Sequence, residues 1–303
     1  MRKLDFLIEP AFDGVAAANF LRREKHFSYA LVVKLRHNPD CLLLDGAPIR
    51  TIDKLKAGSV LSVIIPERSG EAIPNDTLSV TILYEDEDIV VFDKPAGLPV
   101  HPAKGHQTDT LANYYAARYP CSKFRVIGRL DMDTSGLVLT AKNSHAAAVL
   151  TDETMEKQYL AVVSGTPDPP FGRIDHPIDD TDPEAHRRFV SENGRAAVTD
   201  YETVLSGKEF SLVRVMPKTG RTHQIRVHFS YIGHILLGDE LYGGDREKIG
   251  RHALHRSSMT FIHPVTGEKM TFSSPLPEDM QKLVDEIMRE KEGSDEQGNK
   301  KFQ

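Results

Sequence analysis

The spacing of apolar and polar positions divides the chain into two stretches of different texture. Over residues 15–25, and again over 28–37, apolar side chains recur at helical spacing, and Ser28 stands where an N-cap belongs. Asn38-Pro39 ends the second helix. Cys41-Leu42-Leu43-Leu44, the turn Asp45-Gly46 and Ala47-Pro48-Ile49 then predict a hairpin, and a further strand follows over 60–65. Helix, helix, hairpin and strand make residues 1–66 a small α+β domain. A polar run with Gly70 and Pro74 predicts a linker over 67–79.

Beyond it the pattern alternates with period two in many places and with period 3.6 in few. Strands are predicted at 82–84, 89–92, 138–140, 159–163, 197–205, 211–216 and 259–262, and helices at 111–119 and 146–155. The helices come at irregular intervals, which predicts a mixed, largely antiparallel sheet flanked by helices, and not a regularly alternating parallel one. The whole is an α+β protein, with a larger domain over 80–290. From 291 to 303 the residues are mostly Gly, Ser, Asp, Glu, Gln and Lys, a composition that predicts a disordered tail.

Composition narrows the function. The chain has 303 residues, 40% of them hydrophobic, enough to fill two cores. It has no run of about eighteen apolar residues and no apolar signal core at its start, so a cytoplasmic protein without a membrane partner is expected. Two cysteines, Cys41 and Cys121, make neither a disulfide framework nor a zinc site. The net charge of −6 excludes a protein that coats nucleic acid. The charge is uneven, however: residues 1–66 carry ten Lys or Arg against seven Asp or Glu, and residues 277–303 carry five against eight. A weakly basic head fits local, brief RNA contact.

Two runs concentrate the chemistry. Gly128-Arg129-Leu130-Asp131-Met132-Asp133-Thr134-Ser135-Gly136-Leu137 sets a carboxylate between a cation and a turn of small residues, and Thr219-Gly220-Arg221-Thr222-His223-Gln224-Ile225-Arg226-Val227-His228 interrupts a strand-like stretch with cations and imidazoles. Neither is written like a free-standing core. A phosphate-binding loop, a dinucleotide fingerprint and finger-spaced Cys/His ligands are all absent, and His223/His228 and His101/His106 lack an acidic partner at ligand spacing, so neither cofactor nor metal is expected.

Both runs resemble the signature stretches of the RluA-type RNA pseudouridine synthases. Asp93-Lys94-Pro95-Ala96-Gly97, Lys157-Gln158-Tyr159-Leu160-Ala161, Gly194-Arg195-Ala196-Ala197-Val198 and Gly238-Asp239-Glu240-Leu241-Tyr242-Gly243-Gly244 extend the resemblance, in order, across about 80–280. One departure is Gly128, where many members carry His. The resemblance implies a pseudouridine synthase fold and cofactor-free isomerisation of uridine in structured RNA, ribosomal first and transfer RNA next. It implies that Asp131 is the catalytic carboxylate, that Tyr159 stacks on the uracil and acts as a general base, and that Arg226 pairs with Asp131. Arg129 would fill the gap left by the flipped nucleotide, and Ile225 would line the base pocket. His223 would hydrogen-bond within the site, with Arg221 and Lys94 as further RNA contacts. The first 66 residues resemble the RNA-binding module named after ribosomal protein S-four, although a domain that only packs is the other reading. The alternative function is a non-catalytic RNA-binding or ribosome assembly factor on the same fold. Oligomeric state is not encoded in these motifs.

Overall fold

A computed structural model of the chain describes residues 2–67, 69–151, 154–179 and 187–299. Strands β1 (Arg2–Leu7), β2 (Leu42–Leu44), β3 (Ala47–Pro48) and β4 (Val60–Ile65) form an antiparallel sheet in the order β1-β4-β2-β3. Asp45 and Gly46 sit at φ 49° and 83°, the left-handed pair that a two-residue hairpin turn requires. Helices α1 (Ala17–Arg23) and α2 (Tyr29–Arg36) pack on this sheet, and α2 starts where the Ser28 hydroxyl accepts the Leu31 amide at 3.2 Å. Leu4, Phe20, Leu31, Leu35, Leu61 and Val63 close a core of their own, while Arg22, Lys34 and Arg36 stay exposed.

The rest of the chain builds a ten-stranded sheet. Its strands, in chain order, are β5 (Thr81–Glu85), β6 (Ile89–Lys94), β7 (Val126–Ile127), β8 (Ser135–Ala141), β9 (Glu156–Ser164) and β10 (Phe171–Asp175). A separate two-stranded ribbon, β11 (Ile178–Asp179) with β12 (Phe189–Val190), precedes β13 (Val198–Ser206), β14 (Phe210–Pro217), β15 (Leu254–Ile262) and β16 (Lys269–Ser273). The main order is β10-β13-β14-β9-β15-β8-β6-β5, with β7 against β8 and β16 against β15. Among the described residues β15 and β8 alone run parallel, so the sheet is mixed and largely antiparallel, as the pattern predicts. Alternation divides the core: Val90, Phe92 and Val138 join Tyr115, Tyr159 and Phe229 on one face, whereas Ile89, Val91, Leu137 and Leu139 join Met259 and Phe261 on the other.

Helices α3 (Leu111–Arg118), α4 (Ser144–Val149), α5 (Gln224–Tyr231) and α6 (Glu278–Asn299) flank this sheet, and three of them depart from expectation. α4 ends six residues before the expected 155, because Leu150 is extended and Thr151 and Thr154 hydrogen-bond to each other. The stretch read as an interrupted strand is the helix α5, entered through His223 at φ 56°. The tail expected to be disordered from 291 continues α6 to Asn299, since Glu, Lys and Gln are good helix formers and its two glycines, Gly293 and Gly298, cost only about 1 kcal/mol each. Residues 300–303 lie outside the described residues. Among those described, no helix is long and apolar enough to cross a membrane.

The small sheet is fastened to the large one. Arg2 Nε and Nη2 reach the two carboxylate oxygens of buried Asp88 at 3.0 and 2.9 Å, and Phe27 stacks on His145 at 4.2 Å. The stretch expected as a linker is pinned through Glu67, whose carboxylate accepts from Arg125 at 2.6 Å and from the Ser144 amide at 2.8 Å.

Candidate active site

The turn between β7 and β8 carries Asp131, and its backbone closes where the Thr134 amide donates to the Asp131 carbonyl at 3.2 Å. Two residues on, the strand begins under tight constraint. Gly136 has φ 106°, and a Cβ there would lie 2.3 Å from the Arg256 carbonyl oxygen on the parallel neighbour β15, so only glycine lets the two backbones meet. This close approach fixes where the Asp131 turn leaves the sheet.

α5 delivers Arg226 from the opposite side. Its Nη1 donates to Asp131 Oδ2 at 3.2 Å, while its Nε and Nη2 form a two-pronged bond, both arms 2.7 Å, with Asp239. Asp239 is 1% exposed and the Asp131 side chain 28%. Arg226 is therefore held by a buried carboxylate behind it and offers its remaining edge to an accessible one in front. Burial works against its charge, but the bonds to Asp239 and the two carboxylates outweigh that and raise its pKa. The ring of Tyr242 lies 5.1 Å from the guanidinium and adds a cation–π contact.

A cleft of about 600 Å³ opens over this pair. It is lined by Arg129, Asp131, Tyr159, Arg221, His223, Ile225 and Arg226, seven of the eight residues singled out from the sequence. Tyr159 and Ile225 are each 6% exposed and form apolar wall, whereas Arg129 and Arg221 are exposed. His223 places Nε2 3.7 Å from Asp131 Oδ2 and Nδ1 3.2 Å from the Tyr242 hydroxyl. Burial lowers its pKa although Asp131 pulls the other way. The second acid of the motif, Asp133, faces a different cavity, beside Arg246 and Arg251, so Asp131 and Asp133 do not form a pair across one substrate.

Lys94 requires a correction. It is 1% exposed, and its ammonium donates to the carbonyls of Pro95, Leu98 and Met132 at 2.8, 2.9 and 2.8 Å. Three donors meet three acceptors, leaving none for an RNA phosphate. Burial pushes its pKa down to about 7, against the pull of Asp133 and Asp131. Lys94 stitches the loop after β6 to the Asp131 turn from below.

Several contributors were not singled out from the sequence. Asp239 belongs to a quoted motif, but nothing in that run says it is buried or faces Arg226. Thr134 and His252 hydrogen-bond at 2.8 Å beneath the turn, and burial pushes His252 down to about 2, so the imidazole is neutral. Arg256 is 1% exposed and bonds the Tyr159 hydroxyl. No sequence signal set Arg256 apart, because its strand, Leu254–Ile262, also carries His255, Ser257, Ser258 and Thr260. Of the imidazoles weighed as metal ligands, His228 bonds Thr199 at 2.8 Å and the His176 carbonyl at 3.0 Å, and His106 bonds the Asp109 carboxylate at 2.7 Å. Asp86, Asp88 and His263 have ligand-like composition, but Arg2, Asn143, Tyr84 and two backbone amides occupy their carboxylates, which makes the cluster part of the clamp to the small sheet.

A mixed sheet with an Arg-held carboxylate lining a cation-rimmed cleft agrees with the comparisons with known proteins. Residues 88–231 match the family described as RNA pseudouridylate synthase. An uncharacterised RNA pseudouridine synthase of Bacillus subtilis, YjbO, is 36% identical over 270 residues, 86% of this chain and 95% of the relative. The ribosomal large subunit pseudouridine synthase D of Xanthomonas campestris is 35% identical over 296 residues, 90% of this chain and 87% of that protein. The solved structure of human RNA pseudouridylate synthase domain containing 1 aligns with a TM-score of 0.56 at 27% identity, covering 71% of this chain and 97% of that one. The chain belongs to the RNA pseudouridylate synthase family. It is an RNA pseudouridine synthase, an enzyme that isomerises uridine within RNA.

Proposed function

We propose that this enzyme converts specific uridines of structured ribosomal RNA to pseudouridine, with transfer RNA as the next candidate, and that Asp131 carries the reaction. The observation that supports this most is the placement of the Asp131 carboxylate in the lining of the cleft, 3.2 Å from a guanidinium that is itself anchored on buried Asp239. An ionised carboxylate so oriented meets an electron-poor carbon without having to move. The N1–C1′ bond of uridine breaks, the uracil turns, and C5 bonds to the same ribose carbon, with one proton lost at C5 and one gained at N1. Tyr159 and Ile225 support the turning base with surfaces that need no fixed hydrogen-bond register. Arg129, exposed at the rim, enters the stack in place of the extruded nucleotide and lowers a flipping cost of a few kcal/mol.

Ribosomal RNA is preferred because a relative that is 35% identical is a ribosomal large subunit pseudouridine synthase. Residues 1–66 serve as the module that grips this RNA, supported by exposed Arg22, Lys34 and Arg36 on one pair of helices, and the protein works in the cytoplasm. Tritium release from RNA labelled at uracil C5 tests the reading. Wild type should release label from ribosomal RNA, and Asp131→Asn should not. Salt-sensitive RNA binding without release by wild type would instead favour the non-catalytic assembly factor.

A further inference from the structure

Arg256 is the largest side chain among those almost wholly excluded from solvent, at 1% exposure. It sits on β15 directly across from Tyr159 on β9. Its Nε donates to the Tyr159 hydroxyl at 2.8 Å, and its Nη2 reaches the same oxygen. The remaining N–H groups go to the carbonyls of Gly128 and Leu137, each at 3.2 Å, and of Arg129 at 3.3 Å. Among the described residues, none of these acceptors is a carboxylate. A guanidinium cannot give up its charge, and a buried charge lacking an opposite one is costly. Of the groups it touches, the Tyr159 phenol alone can become an anion.

We propose that Arg256 is a positioning residue for the uridine chemistry, one that holds the Tyr159 oxygen in its base-accepting state and the Gly128–Arg129 backbone at the entry to the Asp131 turn. The inference rests on the proposed function and on Tyr159 acting in it as the general base that the family resemblance implies. Once C5 of the detached uracil has bonded to the ribose C1′, C5 still carries its original hydrogen. The Tyr159 phenolate takes it as a proton, the C5–H electron pair becomes the C5–C6 double bond, and the electrons released on N1 take up one proton from solvent. The phenol then returns its own proton to solvent, so the count closes. An ordinary phenol ionises near pH about 10, far from the near-neutral value suited to a general base. Two N–H donors aimed at its oxygen narrow that gap. Around the same cleft, Lys157 on β9, Arg129 on the loop and Arg226, Arg221 and His223 at or just before α5 also bear or can bear positive charge, as does His101; among the described residues Asp131 in the lining and Asp239 behind Arg226 oppose them.

The test compares wild type, Arg256→Gln, Arg256→Lys and Tyr159→Phe in single-turnover tritium release across pH, alongside RNA binding. Arg256→Gln is expected to slow release roughly 10²-fold with RNA affinity unchanged, to move the rise of rate with pH in the alkaline direction, and to be partly rescued by Lys. A wild-type rate and profile in Arg256→Gln would overturn the inference, and so would equal losses of rate and affinity with an unmoved profile, which mark a purely structural arginine. A second readout needs neither catalysis nor a foldable Arg256 variant: the tyrosinate absorbance of wild type minus that of Tyr159→Phe. Tyr159 should ionise below the other tyrosines; ionisation together with them would overturn the inference. If wild type releases no tritium yet Tyr159 ionises early, the proposed function fails while the Arg256–Tyr159 pair stands.

Discussion

Replacing Asp239 by Ala removes the buried half of the bond network that fixes Arg226. Arg226 has a side chain only 8% exposed, and the single carboxylate left to it, Asp131, is 28% exposed and bonded through one arm at 3.2 Å in place of two at 2.7 Å. Deleting one partner of such a pair strands a charge and costs about 3–5 kcal/mol. At roughly 2–4 °C per kcal/mol for a domain of this size, the melting temperature should fall by roughly 6–20 °C. Activity should fall more than stability explains, because the freed guanidinium swings toward Asp131. Thermal melts and tritium release on the same preparations read both effects. A second variant, Asp239→Leu with Arg226→Met, exchanges the ion pair for apolar contacts and should recover much of the lost stability while remaining inactive. A loss in Asp239→Ala below about 1 kcal/mol, the range of an exposed pair, would refute the reasoning, as would a double variant no more stable than the single one.

Gly136→Ala should destabilise the fold strongly and abolish activity, since the Cβ meets the Arg256 backbone and φ is 106°; urea melts and release assays check it. Lys94 has its pKa pushed from 10.5 to about 7, so the native state sheds this proton before the unfolded state does. Its contribution to stability is therefore greatest above about 10.5 and is lost as pH falls from there through about 7, and the difference in stability between wild type and Lys94→Met should follow that course in urea melts. Alanine at exposed Lys34 and Arg36 should leave melting unchanged and reduce the salt slope of binding to ribosomal RNA by about 0.7–0.9 for each phosphate no longer neutralised. Arg129→Ala should slow the reaction on paired uridines more than on unpaired ones, since only the former need the gap filled; single-turnover rates on matched stems and loops decide it.

The hydrophobic pattern was sufficient for the sheet because strand periodicity leaves buried residues on alternate positions, as at 89–92, and because Asp45-Gly46 and Ser28 carry unambiguous turn and cap chemistry. It failed where geometry departs from local preference. The 224–231 helix contains Ile225, Val227 and Phe229, which suit a strand, and it begins through a left-handed His223 that no spacing rule foresees. Within the site, the motif residues Asp131, Tyr159 and Arg226 were legible because their short runs are distinctive. The supports were not: Asp239, Arg256 and His252 act through partners 13, 97 and 118 residues away. Lys94 misled because a lysine written beside a motif looks the same whether its ammonium faces RNA or three backbone carbonyls. Asp131 and Asp133, two positions apart, diverge because a turn and not a strand carries them.

The central claim is that Asp131, held by Arg226, performs the isomerisation of uridine in RNA. Release of tritium from C5-labelled ribosomal RNA by wild type and by Asp131→Asn tests it most directly, with binding measured in parallel. The account predicts release by wild type, none by Asp131→Asn, and the same RNA affinity for both. Comparable release by the two proteins would contradict it.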